Sequence, residues 1–99
     1  MAETITIQIG NSDNKLTQQE WSDFILDVTN MIHLSIIATN NPSIHFSGGS
    51  EVSKPWQNYC WVFNANKSTT EKIIASLEQI RQMYRQDSVA LTIGETKFI

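Results

Sequence analysis

From Thr4 to Ile9 the chain alternates without a break, with Ile5, Ile7 and Ile9 on one side and Thr4, Thr6 and Gln8 on the other. A period of two sends successive side chains to opposite faces, so this segment reads as a strand with one apolar face. Gly10-Asn11-Ser12-Asp13-Asn14 ends it with turn-forming residues. The period then lengthens. Thr17-x-x-Glu20 has capping-box spacing, in which the Thr hydroxyl and the Glu carboxylate each accept a bond from an orphan backbone N–H. Leu16 before that cap and Trp21 after it have hydrophobic-staple spacing. Phe24, Ile25, Val28, Met31 and Ile32 continue the apolar stripe of a helix. Leu34 to Ala38 fits either more helix or the start of a strand, which leaves the helix end open between residues 33 and 39. Asn40-Asn41-Pro42 stops the element in either case.

Ile44 and Phe46 alternate with His45 and Ser47, the pattern of a short strand with both apolar residues on one face. Gly48 to Pro55 reads as a loop, with Ser47 to Ser50 at its flexible tip. Trp56 to Asn64 is aromatic-rich and reads as a longer strand, completing a hairpin. Ser68-x-x-Glu71 offers a second capping box ahead of Ile73, Ile74, Leu77, Ile80 and Tyr84 at helical spacing. Ser88 to Ile93 alternates again, with Val89, Leu91 and Ile93 together. Gly94-Glu95-Thr96 suits a turn, leaving Lys97-Phe98-Ile99 as a tail or short return strand.

The order β-α-β-β-α-β with right-handed crossovers packs most simply as an α+β ferredoxin-like sandwich. This is a four-stranded antiparallel sheet with both helices on one face and the first and third strands central. Ninety-nine residues make one domain by size, spanning 1–99. Hydrophobic residues at 40% and charged residues at 17% fit a globular chain that builds its own core.

Charge narrows the partners. Seven basic residues against ten acidic ones give −3, and no basic run is present. Nucleic-acid affinity rests largely on phosphate neutralisation, so nucleic acid is disfavoured and a basic protein surface is the better match. A single cysteine forms no internal disulfide, the start Met1 to Thr6 lacks the apolar core of a signal peptide, and no apolar run reaches membrane-spanning length. These features set the expectation of a cytoplasmic, membrane-free protein.

The stretch from Trp56 to Asn64 decides most about function. Alternation groups Tyr59, Trp61 and Phe63 with Gln57, and Trp56, Asn58, Cys60, Val62 and Asn64 on the other side. One reading packs the three rings into the core with Ile5, Ile7 and Ile9. The other turns Tyr59, Trp61 and Phe63 outward as a stacking face for single-stranded RNA. Against the second, residues 58–63 lack the Gly and basic residues that accompany such stacking rings, and the first strand has no aromatic partner. Trp56, after Lys54-Pro55, either covers the end of the core or stands exposed as a binding anchor.

Chemistry beyond binding is sparse. Cys60 is mid-strand between Tyr59 and Trp61, a setting in which cysteine behaves as a small hydrophobe. His33 and His45 are distant from it in sequence, and two histidines with one cysteine lack the spacing of a metal site. Ser47-Gly48-Gly49-Ser50 has no lysine after it at the spacing of a phosphate cradle, and no helix begins there. The expectation is a non-enzymatic protein-interaction domain without cofactor: an adaptor, a complex subunit, or an inhibitor that occludes a partner. Candidate partner-binding residues are Glu51, Trp56 and Asn58 around the loop, with Asp23 and Asp27 on the polar side of the first helix. The alternatives are a homo-oligomeric ligand-binding module that stacks two open sheet faces, and RNA binding through the rings.

Overall fold

The computed structural model describes residues 3–37, 44–50, 57–95 and 99. Strand β1 (Glu3–Gly10) leads to helix α1 (Gln18–Ile36), strands β2 (Ile44–Gly49) and β3 (Asn58–Ala65), helix α2 (Lys67–Met83) and strand β4 (Ala90–Glu95). The strands form one antiparallel sheet in the order β2-β3-β1-β4, so β1 and β3 are central as expected. The arrangement is the α+β ferredoxin-like sandwich.

Register explains the core. Ile5, Ile7 and Ile9 stand opposite Phe63, Trp61 and Tyr59 on β3. Trp61 and Phe63 are 0% exposed and join the three isoleucines, Phe24, Val28, Ile32 and Ile36 of α1, and Ile73 and Leu77 of α2 in one buried cluster. The rings therefore lie under the helices. This overturns the outward stacking face: Trp61 and Phe63 are fully enclosed, and Tyr59, half-buried, packs against the same cluster. The reason is that only the isoleucine side of β1 offers apolar partners at matching register. Trp61 brings a polar N–H into this core. It donates to the Thr29 hydroxyl at 3.0 Å, and that hydroxyl donates to the Ile25 carbonyl at 2.7 Å.

The first capping box forms as the spacing predicts. Glu20 N donates to Thr17 Oγ1 at 3.1 Å, and Thr17 N donates to Glu20 Oε1 at 3.0 Å. The second does not form. The cap of helix α2 lies two residues before the predicted one, at Asn66, which accepts from Thr69 N at 2.8 Å. Ser68 falls inside the first turn. Helix α1 runs on to Ile36, which resolves the ambiguous stretch in favour of helix as far as residue 36.

Strand β2 departs most from expectation. Its register shifts between Ile44, opposite Phe63, and Phe46, opposite Val62. That bulge takes up His45 and moves Phe46 from the helix side to the open side, where it is exposed. Gly48 and Gly49 are not a loop tip but strand residues, opposite Cys60 and Tyr59. Gly49 is required by close approach: a Cβ there would meet the Asn58 carbonyl oxygen at 2.3 Å and the Tyr59 ring at 2.8 Å. Gly94 and Glu95, expected in a turn, pair instead with Thr4 and Glu3.

Gly49→Ala is expected to destabilise the fold by about 1–3 kcal/mol through overpacking, measured by urea unfolding. Gly48→Ala meets only the movable Phe46 ring, at 3.0 Å, and should cost less than about 1 kcal/mol. Equal effects would contradict the close approach of the Asn58 carbonyl to Gly49.

Candidate partner-binding surface

Helix α1 buries Trp21, Phe24, Val28, Ile32 and Ile36 and leaves three other sides of distinct chemistry. The side toward β2 and β3 borders a cleft of about 300 Å³. Gln18, Trp21 and Ser22 of α1 line it with Gln57, Asn58 and Tyr59 at the start of β3. Its base is an amide network built on the buried Asn11 and Gln57. Asn11, fully enclosed, donates to Gln57 Oε1 at 2.9 Å and to the Leu16 carbonyl at 3.1 Å, and accepts from Leu16 N at 2.9 Å. Gln57 and Gln18 exchange two further bonds, at 2.7 and 3.1 Å. Every buried side-chain polar atom among the described residues is partnered. The network thus fixes the entry to α1 against β3, and its amides point at one another rather than at a ligand. A second cleft, about 170 Å³ between α2 and β4, is smaller than typical small-molecule sites.

The side of α1 toward the end of α2 is acidic. Glu20 accepts from Arg85 at 2.8 Å, and Asp27 accepts from the Tyr84 hydroxyl at 2.5 Å. The Tyr84 ring stacks on Phe24, with centroids 4.7 Å apart. Burial first, then the Asp27 carboxylate, push the Tyr84 phenol well above its ordinary value. Asp27 therefore ties the two helices together. Asp23, between the two tied acids, is exposed and accepts from Gln19 at 3.0 Å.

The outer side of α1 carries exposed aliphatic residues among the polar Gln19, Asp23 and Asn30. Leu26, Leu34 and Ile37 are 57%, 74% and 68% exposed. At 100° per residue they fall within one quadrant of the helix, and Asp23 falls in the same quadrant. None of the three is among the candidates from sequence, because Leu26 lies outside the buried stripe and Leu34 and Ile37 lie in the segment of ambiguous type. The signal that carries them is the helical period itself, which places them away from that stripe once the helix is wound to Ile36 with Ile37 as its C-cap.

The candidate residues from sequence thus occupy different places. Asn58 lines the cleft, while Asp23 and Asp27 are on the other flank of α1. Glu51 and Trp56 lie outside the described residues, on the segment between Ser50 and Gln57. Cys60 is half-buried on the open face of the sheet, opposite Gln8 on β1 and Gly48 on β2, and so has no charged or imidazole group across either ladder. His33 is exposed on α1, and His45 is at the β2 bulge. No group of His, Cys, Asp and Glu among the described residues has metal-holding geometry, and no described helix is long and apolar enough to cross a membrane.

The open face is formed by Thr4, Thr6 and Gln8 of β1 and by Asn58, Cys60, Val62 and Asn64 of β3. Phe46 and Gly48 of β2 and Ala90, Thr92 and Gly94 of β4 flank them. None of these carries a formal charge. Comparison with models of protein families and with curated proteins finds no match for this chain.

The Glu20 carboxyl is held below its ordinary value, first by the Thr17 backbone N–H and then by Arg85. A lowered folded-state pKa means that its contribution is present above the ordinary carboxylate value of 4.5 and is lost as pH falls through the folded value. Glu20→Gln keeps a neutral cap and removes that titration. The urea midpoint of the wild type should therefore fall more steeply between about pH 5 and pH 3 than that of the variant.

Proposed function

We propose that this chain is a non-catalytic protein-interaction domain that offers the outer side of α1 to a partner, acting as an adaptor, a complex subunit or an occluding inhibitor. The observation that carries this reading is the exposed aliphatic strip Leu26, Leu34 and Ile37 beside Asp23 on one side of a well-capped helix. Apolar side chains grouped on a surface mark interaction sites.

Magnitudes assign roles within the strip. Burying one leucine under a partner contributes about 1.5–3 kcal/mol, whereas an exposed ion pair contributes about 0.2–1 kcal/mol. The aliphatic residues would supply most of the affinity, and Asp23 would orient the helix toward a basic rim. A helix laid in a groove is a recurrent recognition mode of this chemistry. The helix is supported from behind by the Trp61–Thr29 bond and the Asp27–Tyr84 bond, so it would be presented already formed, at small ordering cost.

The test is affinity capture from the native source with wild type, Leu26→Ser/Leu34→Ser and Asp23→Lys. The serine pair should lose its protein partner while keeping the wild-type stability within about 1 kcal/mol, since both positions are exposed. Asp23→Lys should weaken capture more at low salt than at high salt. Capture of the same partner at wild-type yield by the serine pair would rule the strip out.

A further inference from the structure

On the open face of the sheet the described residues carry no formal charge, although the chain as a whole carries −3. The formal charges of the described residues lie on the helices, in the turns and at the strand ends. At the centre of the face Thr6 stands opposite Val62, with Thr92 on the far side of Thr6 and Phe46 on the far side of Val62. Cys60 and Val62 are half-buried by their neighbours, and Phe46 is 55% exposed.

We propose that two copies of the chain pack these open faces together about a two-fold axis passing near the Thr6–Val62 pair. Three observations select a second copy as the occupant. The first is electrostatic. Two copies carrying −3 each repel wherever their acidic residues meet, as they would if the Asp23 sides of two α1 helices came together. Face-to-face sheets about 10 Å apart hold both helix layers outermost, so the acidic flanks are separated by more than the Debye length of about 8 Å at physiological salt. Among the described residues of this face a nucleic acid finds no cation, and a charged protein surface finds no counter-charge.

The second observation is shape. Apart from Phe46, the side chains at the centre are small or β-branched, which lets two sheets approach to ordinary sandwich spacing. An isologous interface also needs a surface that complements itself, and a neutral face of Thr, Val and Cys meets that need without matched charges. The third is area. Four strands about 4.8 Å apart and six to eight residues long give a face of about 450 Å² in projection. The accessible surface of such a face, counted on both copies, approaches the roughly 1,200 Å² at the lower edge of stable specific interfaces.

Sedimentation of the purified chain at rising concentration tests the proposal. The mass should rise from 11.3 kDa to twice that value. Val62→Lys and, independently, the more exposed Thr92→Lys should each raise the dissociation constant at least about tenfold by placing a charge at the centre of the interface. The Leu26→Ser/Leu34→Ser variant should leave it unchanged. Cys60, the chain's only cysteine, should react more slowly with a maleimide as the concentration rises and the faces close over it, and the lysine variants should remove that protection. A mass of 11.3 kDa at every concentration up to about 1 mM would overturn the proposal. So would a dimer indifferent to both lysines, or one broken by the α1 variant. These readouts use the chain alone and do not depend on the partner captured through α1.

Discussion

The indole of Trp61 is enclosed on all sides, and its N–H must still be satisfied, because an unpaired buried donor costs about 1–3 kcal/mol. The acceptor is a hydroxyl on α1, and that hydroxyl is itself anchored on the helix backbone. This bond sets more than a local geometry. It fixes which turn of α1 lies over the centre of β3 and the rotation of the helix about its own axis. With that rotation set, Trp21, Phe24, Val28, Ile32 and Ile36 face the sheet, and the remaining sides of α1 take their places as cleft wall, acidic flank and aliphatic strip. The linked amides of Asn11, Gln57 and Gln18 hold the other end of the same helix. The two polar contacts act as a pair of pins in an otherwise apolar layer.

Much of this is readable from the chain where one face of an element is buried. Alternation identifies β1 and places Trp61 and Phe63 with the isoleucines, because a one-residue slip would turn the whole set to the other side. The cap at Thr17 is readable because both halves of its exchange are encoded three residues apart. What is not legible depends on partners remote in sequence. His45 looks like an ordinary strand residue, and only the pairing with β3 reveals the bulge that displaces Phe46. Gly48 and Gly49 suggest a turn, yet Gly49 serves the close approach of the Asn58 carbonyl. Asn66 and Ser68 both suit a cap, and tertiary packing selects the earlier one. Gln57 gives a fainter signal, as a polar residue in phase with three rings. Its explanation, Asn11, is on another strand end.

The surface is divided as sharply as the interior. The helix layer carries acidic and basic groups, several of them already committed: Glu20 to Arg85, Glu78 to Arg81, and Asp27 to Tyr84. The sheet layer presents only neutral groups on its outward face among the described residues. A chain that separates charge from neutrality in this way can keep two associations apart, since a contact that suits one side is poorly suited to the other. The α1 strip combines apolar area with an exposed acid and suits an unlike partner. The sheet face suits its own image.

The strand order has a consequence for the birth of the molecule. The first strand is central, and its two neighbours are the third strand and the last. During synthesis β1 emerges before both of its neighbours, so one side of it waits for β3 and the other for β4. A chain elongated at about 5–20 residues per second therefore exposes an isoleucine-lined strand for several seconds. The alternating Thr4, Thr6 and Gln8 keep that waiting strand polar along half its surface, and the capped α1 that follows gives its apolar half an early cover.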